Sequence, residues 1–189
     1  MAARRWFTLP IAAVSLLVFV GCSFEDPGPR YDIPHDAETG GQTLDEMNAS
    51  LVEAFPGVHV SRLSSSDGPN LKGNTGYSLT FDVDPDRTIV DGAAFVDFVV
   101  ESVWSVRDGY MPNSQISISV STSSPEGYDV DAAAAEAGWV ASREPSPQDF
   151  SVVVIVLTAD KEWGAHNRDR LGPWPGDAPE IPTGVTASK

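Results

Sequence analysis

Tyr77-Ser78-Leu79-Thr80-Phe81-Asp82-Val83-Asp84 places an apolar side chain at every second position and a polar one between. Successive side chains of a strand point to opposite faces, so a period of two predicts a strand that is buried on one face and wet on the other. Such a strand needs a cover, and the following stretch supplies one. Asp91-Gly92 opens a run with Phe95, Phe98, Val99, Val103 and Val106 at helical spacing, widened by Val96, Val100 and Trp104 and closing at Asp108-Gly109. So broad an apolar sector predicts the principal helix, laid across a sheet.

Working outward, Thr43-Leu44-Asp45-Glu46 has the spacing of a capping box. Leu44, Met47, Leu51, Val52 and Phe55 then share one helical face until Pro56-Gly57. Val58 to Leu63 reads as a strand, and Ser64 to Gly76 as a loop rich in Ser, Gly and Asn. Gln115 to Ser121 alternates again, with Ile116, Ile118 and Val120 inward. Asp131 to Ala137 predicts a short alanine-rich helix, capped by an Asp and stopped by Gly138, and Trp139 to Ser142 a further strand. Phe150 to Leu157 is apolar at odd and even positions alike, which predicts a central strand with neighbours on both sides. After Thr158, the glycines and prolines at 164, 172, 173, 175, 179 and 182 predict a tail that frays. The sum is an α+β chain: a mainly antiparallel sheet of four to five strands with helices packed on one face. Its first five elements, helix-strand-strand-helix-strand, follow an order that resembles BON domains, small modules of bacterial envelopes.

The amino terminus carries a different kind of signal. Arg4 and Arg5 precede an apolar segment that closes with Val18-Phe19-Val20-Gly21-Cys22, and Cys22 is the sole cysteine. This arrangement resembles the lipobox of bacterial lipoprotein signal peptides, with Phe19 where that family usually carries an aliphatic residue. The resemblance implies cleavage between Gly21 and Cys22, a diacylglycerol with palmitate-type chains on the Cys22 thiol, and a lipid-anchored protein on the outer face of the cell membrane. A spanning helix is the competing reading. The run of about 14 residues reaches about 21 Å, short of the roughly 30 Å hydrocarbon core. The bias toward Ala, Val, Asp and Gly is similar to that of actinobacterial envelope lipoproteins.

Residues 1–21 are thus expected to be a signal peptide, and 22–41, with Pro27, Pro29, Pro34 and Gly40-Gly41, a lipidated cysteine and flexible tether. Residues 42–163 form a single α+β domain and 164–189 a Pro/Gly-rich tail. The chain has 12 basic and 27 acidic residues. Cleavage removes two basic ones, Arg4 and Arg5, so the formal charge of −15 becomes −17. Such a chain repels nucleic acid, and its expected partners are the membrane, through the anchor, and an envelope protein or cell-wall component. With Cys22 acylated, no thiol remains for a disulfide, a nucleophile or a cysteine-ligated metal.

Candidates for chemistry are few. Asp82, Asp84 and Asp86 could gather oxygens around Ca²⁺, with a solvent-facing strand end as the plain alternative. Asp97 and Glu101, one helical turn apart, form an acid–base pair or the wet side of the helix. His35, His59 and His166 share no metal-ligand spacing, and Gly76-Tyr77-Ser78-Leu79-Thr80 misses the nucleophile elbow at Thr80. Trp104 and Trp139 read as core, Trp163 and Trp174 as interface residues. No catalytic residue, metal or cofactor is assigned. The expected function is a non-enzymatic binding or accessory module, with an envelope hydrolase or a calcium-dependent binding module as alternatives.

Overall fold

The computed structural model describes residues 32–66, 68–142 and 144–189; Gly21, Cys22 and the apolar leader lie outside them. Ten elements follow in the order α1 (Leu44–Ala54), β1 (Val58–Ser65), β2 (Gly76–Val83), β3 (Arg87–Ile89), α2 (Gly92–Trp104), β4 (Gln115–Thr122), α3 (Val130–Glu136), β5 (Phe150–Val156), α4 (Glu162–Leu171) and β6 (Thr186–Ser188). The protein is α+β. Its main sheet has the strand order β1-β2-β4-β5, while β3 and β6 form a separate antiparallel pair.

The sheet is mixed, which corrects the expectation of a mainly antiparallel one. β1 and β5 run antiparallel to their neighbours, but β2 and β4 are parallel. The connection explains this: β2 leads through α2 to β4, and a strand–helix–strand crossover brings the second strand back in the same direction.

One face of the sheet carries the core. Leu79, Phe81, Ile116, Ile118, Val120 and Ile155 are fully buried, as are Phe95, Val96, Val99, Val100 and Val103 of α2. Phe95 is wedged between Phe55, at 4.7 Å between ring centroids, and Phe81, at 5.1 Å, in tilted and edge-on contacts that rings favour. The capping box of α1 is formed on both sides: Thr43 Oγ1 accepts from the Glu46 amide, and Glu46 Oε2 from the Thr43 amide at 2.7 Å. That second bond holds the Glu46 carboxyl below its usual range.

Several expectations are corrected. Val52 points to solvent, because the sector α1 buries is the narrower one of Met47, Leu51 and Ala54. α2 ends at Trp104, not at Asp108-Gly109; Ser105 turns its carbonyl toward the amide of Gln42, and Val106 bridges to Gln42. Trp139 to Ser142 is not a strand, and Trp139 is buried below the sheet. β5 is an edge strand rather than a central one. Its even-numbered apolar residues lie on the open face, with Phe150, Val152 and Val154 at 52, 43 and 41% exposure. A run apolar at both parities reports either burial on two sides or an exposed apolar stripe, and here it is the stripe.

Both ends of the described chain are tied down. Residues 32–42 are docked rather than loose: Ile33 is buried, Met111 N donates to Pro34 O at 2.8 Å and Ala37 N to Arg107 O at 2.8 Å. The region after Thr158 is equally ordered. α4 runs through the expected domain boundary at 163/164, Val185 is buried, and β6 closes onto β3. Gly164 does not break α4 but lets it pack, since a Cβ there would lie 2.0 Å from the Thr158 carbonyl oxygen.

Candidate functional site

The face of the sheet away from the core carries small polar side chains on β2 and β4 and the apolar stripe of β5 at its edge. Lateral pairing aligns Ser64 of β1, Ser78 of β2, Ser117 of β4 and Val154 of β5 in one row, and Gly76, Gln115 and Val156 in the next. At this end of the sheet lies a cleft of about 800 Å³, within the usual range of small-molecule sites, roughly 300–1,000 Å³. Ser64, Ser78, Gln115 and Val156 line it from the sheet, Ser66, Asn70, Asn74 and Thr75 form one wall, and Thr158, Lys161, Glu162 and Trp163 at the start of α4 form the other.

The loop wall is built by its own side chains. Asn70 Oδ1 accepts from the amides of Lys72 and Asn74, at 2.9 and 3.1 Å, an Asx arrangement that substitutes for regular structure. Asn113 clamps the end of the loop, its Nδ2 donating to Gly73 O at 2.7 Å and its Oδ1 accepting from Thr75 N at 2.9 Å. Thr75 Oγ1 donates to Met111 O, and Ser114 Oγ to Thr75 O. Gly76 lets the start of β2 approach β4 closely, because a Cβ at that position would come within 2.7 Å of Gln115 O.

The opposite wall depends on how α4 is held. Asn167, fully buried, donates from Nδ2 to Val156 O at 2.9 Å and to Trp139 O at 3.1 Å. Arg168 donates to Leu157 O and Asn113 O, and partial burial lowers the pKa of its guanidinium. Arg170 lies 3.8 Å over the Trp139 ring and donates to Asp97 Oδ1 at 2.7 Å. These bonds hold the second half of α4 against the domain, and in its first turn Trp163 stands at the cleft, 37% exposed, with its ring edge-on to His166 at 5.5 Å.

Within the cleft the hydrogen-bonding groups divide in two. The hydroxyls of Ser66, Thr75, Ser114 and Thr158 are consumed by backbone carbonyls. Among the described residues, the side chains of Ser64, Asn74, Ser78, Gln115, Lys161 and Glu162 have no protein partner. Tyr77 stays protonated at any ordinary pH, since burial and then the Asp108 charge push its phenol up to about 12.

The residues singled out in the sequence are dispersed. Asp84 pairs with His59 at 3.2 Å on the exposed surface. Asp82, Asp84 and Asp86 do not converge, and among the described residues no group of three or more His, Cys, Asp or Glu side chains could hold a metal ion. Asp97 is a structural latch rather than the plain wet side of α2: besides Arg170, its Oδ1 accepts from Trp139 Nε1 at 2.7 Å. Glu101 lines only a small cavity of about 200 Å³ beside Trp104 and Arg170; partial burial and then Asp97 push its carboxyl above the usual range. His35 stacks on Tyr110 at 4.8 Å, while His59 pairs with Asp84. Gly76 to Thr80 is continuous strand with no elbow. Trp104 and Trp139 are buried, and Trp174 is half-buried against the core, so of the two expected interface tryptophans only Trp163 lines a cleft. The roles of Asn113, Asn167 and Arg168 carry no motif in the sequence.

No family model matches the chain, and no curated protein or solved structure is similar enough to count as a match.

Proposed function

We propose that this protein is a lipoprotein, cleaved before Cys22 and anchored by lipid on that cysteine, which presents its α+β domain outside the cell as a non-enzymatic binding module of the envelope. One observation carries the binding reading: a cleft whose walls are fixed by hydrogen bonds while six of its polar side chains remain without protein partners, beside a partly exposed tryptophan. Ser64, Gln115, Lys161 and Glu162 are exposed and Asn74 and Ser78 half-buried, so all six are open to water and available to a ligand that enters the cleft.

The anchor reading draws on the sequence and is compatible with the geometry of the described part. Among the described residues no helix is long and apolar enough to cross a membrane. The chain enters the domain beside the cleft, since Pro34 bonds to Met111, which in turn bonds to Thr75.

Labelled palmitate fed to a bacterial host tests the anchor. The wild-type chain is expected to take up label and the Cys22→Ala chain none; an unlabelled wild-type chain contradicts the reading.

A further inference from the structure

We propose that the cleft takes a neutral saccharide, held on the ring of Trp163 and hydrogen-bonded to the row of free side chains beneath it. This rests on the reading of the domain as a binding module. The free groups are the hydroxyls of Ser64 and Ser78 and the amides of Asn74 and Gln115. Each both donates and accepts. A ligand that satisfies them must offer donors and acceptors side by side, which is what a ring of sugar hydroxyls does. An apolar ligand would strip water from these four side chains without replacing the lost bonds, a costly exchange.

Charge narrows the class further. Lys161 and Glu162 are neighbours of opposite sign, and no cluster of cations lines the cleft. In a chain of formal charge −15, a phosphate or sulfate group is repelled rather than steered in. An extended peptide has no purchase on β2 and β4, both of which are already paired along both edges, so it cannot add a strand at the floor of the cleft. Trp163 completes the match. Sugar rings present a C–H face as well as hydroxyls, and a large aromatic surface gains dispersion contacts against that face.

The chemistry is common to glucans and to the amino sugars of cell walls, so the test uses one oligomer of each. Maltotetraose and the tetramer of N-acetylglucosamine are titrated calorimetrically into the full chain in detergent micelles, alongside a sulfated glucose tetramer. Saturable binding of at least one neutral tetramer is expected, with the sulfated one weaker. Trp163→Ala is expected to weaken it about tenfold or more, as loss of an aromatic anchor does, while Trp163→Phe retains most of the affinity. Thermal unfolding establishes that each variant is folded before it is titrated. Ser78→Leu, on the open face of β2, is a second variant expected to abolish binding. The proposal is overturned if neither neutral tetramer binds at millimolar concentration, if the sulfated tetramer binds more tightly, or if Trp163→Ala binds as well as the wild type. The Cys22→Ala chain is expected to bind as the wild type does, so a failure of the lipid anchor and a failure of the saccharide site are told apart.

Discussion

Phe95→Ala is expected to lower the stability of the folded domain by about 3–5 kcal/mol, the usual cost of removing a buried aromatic ring. Phe95 is fully buried and meets both Phe55 and Phe81, so α1, β2 and α2 converge on this one side chain. These two neighbours, at the end of α1 and in β2, sit on backbones fixed by their own hydrogen bonds, and collapse into the vacated space is correspondingly limited. A domain of this size has about 5–15 kcal/mol in total, so the variant loses a large part of it. Chemical denaturation of wild type and variant checks this. A loss below about 1 kcal/mol would mean that the aromatic cluster is not the centre of the core.

Gly164→Val is expected to cost about 3 kcal/mol, the upper end of what overpacking a close contact does, and to displace the wall of the cleft as well. The atom that an added Cβ meets is the Thr158 carbonyl oxygen, at 2.0 Å, with the Thr158 carbonyl carbon next at 2.7 Å. Both belong to backbone, which cannot swing aside as a flexible side chain does. α4 must therefore lift, and lifting it strains the bonds of Asn167 to Val156 and Trp139, and of Arg168 to Leu157 and Asn113. The readout is twofold: a lower unfolding midpoint and a shifted indole signal from Trp163, compared with the Trp163→Phe chain to identify that signal. A variant with the wild-type midpoint would show that α4 does not pack on the turn at Thr158.

The contrast between Gly164 and the strand at Tyr77 explains how much could be read in advance. Alternation over Tyr77 to Val83 and over Gln115 to Ser121 is a local property, and Tyr77, Leu79, Phe81, Ile116, Ile118 and Val120 are all buried as that period requires. The capping box at Thr43 and the caps of α3, Asp129 before it and Gly138 after it, are equally local. Position within the sheet is not. Val152 and Val154 have the same composition on an edge strand as on a central one, and only the partner on the far side distinguishes them. Gly164 has the chemistry of a helix breaker and of a close-packing residue, and the deciding atom belongs to Thr158.

The cleft follows the same logic. Trp163 stood out because an aromatic residue among Gly and polar neighbours has little local core to join. Its companions are drawn from β1, β2, β4, β5, the loop before β2 and the turn before α4, and spacing along the chain cannot bring six segments to one place. The Asp82-Asp84-Asp86 run shows the reverse, a tight local pattern with no tertiary counterpart, its middle carboxylate paired instead with His59. Asp97 is a third case: helical spacing placed it beside Glu101, whereas its partners are Trp139 and Arg170, 42 and 73 positions away.

The account turns on the domain being displayed on the outside of the membrane. Protoplasts expressing the protein are treated with an amine-reactive reagent that cannot cross a bilayer, and the modified lysines are read by mass spectrometry. Lys72 and Lys161, both exposed near the cleft, are predicted to react in intact protoplasts as fully as after lysis. Modification of these lysines only after lysis would contradict the account.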